Sequence, residues 1–300
     1  MLKKTIILAV ISFVLMAFIA PASAAVGGEG GMSETVIFTD QMTEYTATYN
    51  EYEMMKALAQ ESPKNLMEKG YTANEIDSIK KYKTAFEEHI EELNVRYTDA
   101  ELLNAGYTNE EIEIIHEFKN LSPALRNAWS SQLAANLTLN LSAKNPLSYT
   151  NGVNKITLNY KFDWTRIPMM QFTDKFGLSW SNANFIIDTS VHPNGIVPIQ
   201  MNYIFVPYTS NITASLHGNG IMYNIPMSLG NGAHTGDNAE GNLTLRYNGT
   251  KTNELAVQLD YAHAKLPTGI SVSLPAGAVG FSFTPSGVTD CIWKYVIFSQ

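Results

Sequence analysis

The sequence predicts an α+β chain: an acidic all-helical region followed by an antiparallel β-sandwich or barrel-like domain. Three observations carry that prediction. A sentence that stops one helix and starts the next is written twice, as Gly70-Tyr71-Thr72-Ala73-Asn74-Glu75-Ile76 and as Gly106-Tyr107-Thr108-Asn109-Glu110-Glu111-Ile112. From Leu137 onward, apolar and polar residues alternate in short runs between turn residues. Charge divides near the same place, with 19 acids against 9 bases in residues 33–126 and 8 against 9 in residues 127–300. Nothing in that balance resembles the basic footprint of a nucleic-acid binder.

Residues 1–24 read as a signal peptide. Lys3 and Lys4 precede an apolar run from Thr5 to Ala20, and Ala22-Ser23-Ala24 offers small residues for cleavage after Ala24. The expected location is therefore secreted, extracellular; an uncleaved N-terminal anchor is the competing reading. Residues 25–32 form a flexible Gly-rich segment. Residues 33–132 make the helical domain and residues 133–300 the β domain. Cys291 is the single cysteine, so no intramolecular disulfide can form and packing must supply the stability. A buried small hydrophobe is its expected role.

Within the helical domain, Tyr45, Tyr49, Tyr52, Met55 and Ala59 step by three or four, which predicts a helix over 42–60. Ser62-Pro63 is an N-cap with proline in the first turn, opening a short helix to Lys69 that Gly70 stops. Thr72 with Glu75 makes a capping box for a helix to about Leu93, with Ile76, Ile79, Phe86, Ile90 and Leu93 on one face. The second copy repeats this grammar. Thr98 pairs with Glu101, Gly106 stops the helix, and Thr108 with Glu111 starts the one carrying Ile112, Ile115 and Phe118. Ser122-Pro123 opens a last helix to about Gln132, with Leu125 and Trp129 on its apolar side. The Gly-Tyr turns are similar to those between the short helices of ubiquitin-associated-type domains, a likeness of a few residues that carries no function across. Both copies are best explained as architecture, provided Tyr71 and Tyr107 are buried.

In the β domain, Leu137 to Leu141 and Ile156 to Phe162 alternate, and Asn151-Gly152 between them is a hairpin signal. Further strands are expected at 176–180, 185–188, 199–206, 211–216, 242–247, 255–261, 270–274, 279–283 and 292–298. About ten short strands with turns between them indicate an antiparallel sandwich or barrel.

Little chemistry is visible. No Gly-x-Ser-x-Gly elbow is present, the six histidines are scattered without zinc spacing, and neither a metal nor a cofactor is expected. The candidate ligand-binding residues are Asp163 and Trp164 in Phe162-Asp163-Trp164, Trp180, and His234, Asp237 and Glu240 in the glycine-rich stretch 230–241, read as a surface loop. Exposed aromatics and carboxylates would suit a sugar; core rings and an outward strand acid are the plain alternatives. The expected function is a secreted, non-catalytic binding or surface-associated protein whose partner is an extracellular protein or a glycan. Two other classes stay open: a membrane-active, pore-forming toxin-like protein with barrel-lining strands, and a secreted hydrolase acting on glycans through Asp163 or the 230–241 stretch.

Overall fold

The computed structural model describes residues 34–37, 44–150, 153–181, 184–204, 206–229, 234–249, 254–264, 270–276, 278–284 and 289–299. The expected signal peptide, Gly-rich segment and Asn151-Gly152 turn lie outside the described residues, as does the side chain of Cys291. The chain begins with β1 (Glu34–Ile37) and β2 (Glu44–Asn50), then forms α1 (Glu51–Gln60), α2 (Pro63–Glu68), α3 (Ala73–Arg96), α4 (Asp99–Asn104), α5 (Asn109–Glu117), a 3-10 turn at Phe118–Asn120 and α6 (Pro123–Leu133). Strands fill the remainder: β3 (Asn136–Thr150), β4 (Val153–Trp164), β5 (Thr173–Trp180), β6 (Phe185–Ile187), β7 (Pro198–Tyr203), β8 (Val206–Thr213), β9 (Ser215–Leu216), β10 (Gly220–Pro226), β11 (Ser228–Leu229), β12 (His234–Tyr247), β13 (Glu254–Ala264), β14 (Ser271–Ser273), β15 (Ser282–Thr284) and β16 (Thr289–Ser299).

The strands make two large sheets, ordered β1-β16-β13-β5-β10-β9 and β2-β3-β4-β12-β7-β8, with β6 and β11 also paired to β12. Among the described residues all pairings are antiparallel except β1 with β16. Alternation drives the two sheets together. Leu137, Leu139 and Leu141 of β3, Leu158, Phe162 and Trp164 of β4, and Phe176, Leu178, Leu259 and Tyr261 of the other sheet share one buried core. The apolar faces that a pore-forming barrel would turn to lipid are thus packed on each other.

The helices are inserted into a hairpin. β2 and β3 are register neighbours, with Asn50 opposite Asn136, and the six helices occupy the chain between them. Asn50 joins both structures: its Nδ2 donates to Asn136 Oδ1 at 2.8 Å, and its Oδ1 accepts from Glu53 N at 2.9 Å to cap α1. The three capping boxes at Thr72, Thr98 and Thr108 all form. Both glycine stops adopt positive φ, +93° at Gly70 and +91° at Gly106, and the tyrosine after each donates its N–H back to a leucine carbonyl, Leu66 or Leu102. Tyr71 and Tyr107 are buried, as the architectural reading of the repeat requires.

Four expectations need correction. The helix expected over 42–60 begins only at Glu51; Tyr45 and Tyr49 lie on β2, where Tyr45, Ala47 and Tyr49 face the core and Thr46 and Thr48 face out. A spacing of four residues satisfies a helical and a strand period alike, so those two tyrosines did not discriminate. The stretch 230–241 is not a loop from His234 on. Gly236 and Gly241 are glycines because Met201, Ile199 and Tyr160 fill the space a Cβ would take. Leu125 is exposed rather than apolar-side core. β10 went unpredicted because Gly220 to Tyr223 are buried without a break, which erases the alternation.

The two outer faces differ. Over β10 and β13 the first sheet's is covered by the β14-β15 hairpin, where Met222 and Ala262 meet Phe281 and Phe283. In the second sheet, β3, β4, β12, β7 and β8 turn polar side chains outward.

Candidate functional site

That second outer face is ordered by register into rows crossing the strands. The central row is Asn140 on β3, Lys161 on β4, Glu240 on β12, Gln200 on β7 and Asn211 on β8, each opposite the next. Beside it, two residues along the strands, lies Ser142, Asn159 and Asn242. Together they line a groove of about 510 Å³, within the size range of small-ligand sites.

The rows that border the groove satisfy themselves. On one side Thr157 and Thr244 share a hydrogen bond of 3.0 Å. On the other, Asn202 Nδ2 donates to Asn238 Oδ1 at 2.7 Å, and Asn238 Nδ2 donates to Asp237 Oδ2 at 2.8 Å. Inside the groove, the side chains of Asn140, Asn159, Gln200, Asn211 and Asn242 make no hydrogen bond to any described residue, and Asn140 Oδ1 is enclosed with no donor. Each amide offers two donors and two acceptor lone pairs. Acids outnumber bases: against Glu240, Asp163 and Asp237 stands Lys161, whose Nζ holds Asp163 Oδ2 at 2.7 Å, a contact that chiefly raises the lysine's pKa. Asp237 is raised by burial and by the neighbouring Asp163.

Three of the six residues expected from the sequence therefore converge: Glu240 in the groove, Asp163 and Asp237 on its border. Trp164 and Trp180 do not. They are 1 % and 3 % exposed in the sandwich core, so neither can be a ligand platform. The side chain of His234 lies outside the described residues. The expectation missed the amides, which carry no signal until register aligns them across five strands.

A second polar cluster lies where the helices meet the sandwich. Asp174 on β5 accepts from Tyr261 Oη at 2.7 Å, from His263 Nδ1 at 2.9 Å and from Ala264 N at 2.7 Å. Glu51, first residue of α1, accepts from Met169 N and Met170 N, both at 2.9 Å. Its carboxylate lies 3.6 Å from His263 Nε2, an ion-pair distance too long for a hydrogen bond. Burial depresses the His263 pKa, but the Asp174 and Glu51 carboxylates outweigh it and raise it to about 10. Burial raises Glu51, and His263 with the two backbone N–H groups brings it below its ordinary value. The cluster is sealed from solvent, so it fastens the helices to the sandwich and does not meet a ligand. Among the described residues no group of three His, Cys, Asp or Glu side chains is arranged to hold a metal ion.

No family model matches the chain, and no curated protein does. Among solved structures, it is similar to the C-terminal domain of the Streptococcus agalactiae AgI/II polypeptide BspA, at 7 % identity and a TM-score of 0.31 over 56 % of this chain and 58 % of that one. It is similar also to a collagen-binding domain from a Staphylococcus aureus adhesin, at 8 % identity and 0.25 over 47 % and 87 %. The Clostridium perfringens NetB toxin in its membrane-inserted form matches at 10 % identity and 0.25 over 55 % and 91 %. Scores this low assign neither a family nor an activity.

Proposed function

We propose that the chain is an exported, non-catalytic binding protein that holds a neutral glycan in the polar groove of its second sheet. One observation carries this reading: five amide side chains line a single groove without a hydrogen bond to any described residue, while each bordering row bonds within itself. A sugar hydroxyl donates and accepts at once, and an amide is its complement. The carboxylates of Asp163, Glu240 and Asp237 outnumber Lys161 at the groove, which disfavours an acidic ligand. Asp163, the strand acid singled out in the sequence, is engaged by Lys161 on a half-exposed strand face, which favours binding over glycan hydrolysis.

The test is binding of the whole mature protein to a panel of immobilised neutral and acidic glycans, with Gln200→Ala alongside. Retention on at least one neutral glycan is expected, weakened roughly two- to tenfold in the variant, the worth of one or two neutral hydrogen bonds. Retention on acidic glycans alone, or none at all, contradicts the reading.

A further inference from the structure

The groove has a direction, and with it a ligand geometry. Across the strands its lining is five positions long, from Asn140 to Asn211, with Thr46 of β2 beyond Asn140 in the same row. Along the strands it is two rows wide, closed by the Thr157 and Asn202 rows. Neighbouring strands lie about 4.8 Å apart, so the central row spans roughly 19 Å with one polar side chain per step. The second row lies about 6.8 Å away along the strand, near the width of a pyranose ring with its hydroxyls.

We infer, resting on the glycan reading above, that the groove takes an extended 1,4-linked glycan lying across the strands, with successive sugars facing successive strands over four to five residues. Such a chain advances by nearly the same step per sugar as the sheet does per strand. Its two edges then face the two rows, Lys161 and Glu240 on one and Asn159 and Asn242 on the other. An extended peptide does not fit this repeat, because its residues advance by about 3.4 Å and fall out of step within two strands. Sheet twist turns the outward direction by about 20° per strand, which the glycosidic torsions absorb. Asn140 and Asn211 at the two ends are therefore end-subsite residues, reached only by the longer oligomers.

The inference is tested by calorimetric titration of the mature protein with β-1,4-linked N-acetylglucosamine oligomers and β-1,4-linked glucose oligomers of one to six residues. In one of the two series, affinity is expected to rise at least tenfold from the dimer to the tetramer or pentamer and then level off. Asn140→Ala and Asn211→Ala should each weaken the pentamer severalfold and leave the dimer unchanged. Both side chains face out of the sheet, and unaltered thermal unfolding of each variant is the control. Affinity independent of length, an equal loss for dimer and pentamer, or binding confined to glycans of other linkage overturns the inference and leaves the glycan reading standing. Binding of no oligomer here and no glycan on the panel overturns both.

Discussion

The Glu51 carboxylate at the start of α1 lies 3.6 Å from His263 Nε2 near the end of β13, and both side chains are 1 % exposed. The helical insertion is therefore fastened to the sandwich by a buried charge pair, completed on the far side of the ring by Asp174. Removing one partner strands the others. His263→Gln should lower stability by about 3–5 kcal/mol, read from urea unfolding.

The same pair sets an alkaline limit. The His263 pKa is raised from 6.5 to about 10, so its contribution is complete below about pH 6.5 and lost as pH rises through about 10. Wild-type stability should fall across that window. His263→Gln should start lower and stay flatter between those two values, and parallel curves would show that His263 is not protonated in the folded protein.

Asp260 acts in an earlier window. Its carboxyl is buried, accepts from Gln258 Nε2 at 2.6 Å and Phe281 N at 3.3 Å, and so anchors the segment leading into β15. Burial raises its pKa from 3.8 to about 7 against those bonds. Folding favours the protonated form, so the contribution of Asp260 to stability is fully present below about pH 3.8 and is lost as pH rises through about 7. Asp260→Asn should remove that decline; an unchanged slope between pH 4 and 7 would contradict the assignment.

The two glycine stops should differ in cost. A Cβ at Gly70 meets nothing within 4 Å, whereas at Gly106 it would lie 2.0 Å from the Thr165 carbonyl oxygen. Gly70→Ala should cost about 1–2 kcal/mol from its left-handed backbone alone. Gly106→Ala should cost at least twice as much, because the loop after β4 must also move. That loop is held by Arg166, which bonds Glu111 at 2.9 Å and the Gln132 carbonyl at 2.7 Å over the ring of Tyr107. Faster limited proteolysis near Arg166 in Gly106→Ala only would show the loop released.

Much of the fold was legible because its signals are local. The Thr72 and Thr108 capping boxes, the glycine stops and the inward leucines of β3 each depend on residues within one or two turns. The second copy's docking role was not: nothing near Gly106 says that Thr165 will approach it or that Arg166 will reach Glu111. Tyr45 and Tyr49 were ambiguous in period, and β10 lost its alternation to burial on both faces. The site was legible only as scattered acids. Asp163, Asp237 and Glu240 are rare charges in a neutral domain and attract notice, but Asn140, Gln200 and Asn211 are ordinary residues until register sets them in one row. Trp164 and Trp180 misled for the opposite reason, since large rings serve cores and sugars equally well in composition.

The most direct measurement is side-chain amide NMR of the mature protein labelled with 15N at asparagine and glutamine, titrated with the tightest-binding neutral glycan. Shifts are expected to concentrate in the NH2 signals of Asn140, Asn159, Gln200, Asn211 and Asn242, with Asn65, Asn104 and Asn127 of the helical unit unmoved. Shifts confined to the helical unit, or none in the groove at saturation, would contradict binding in the groove.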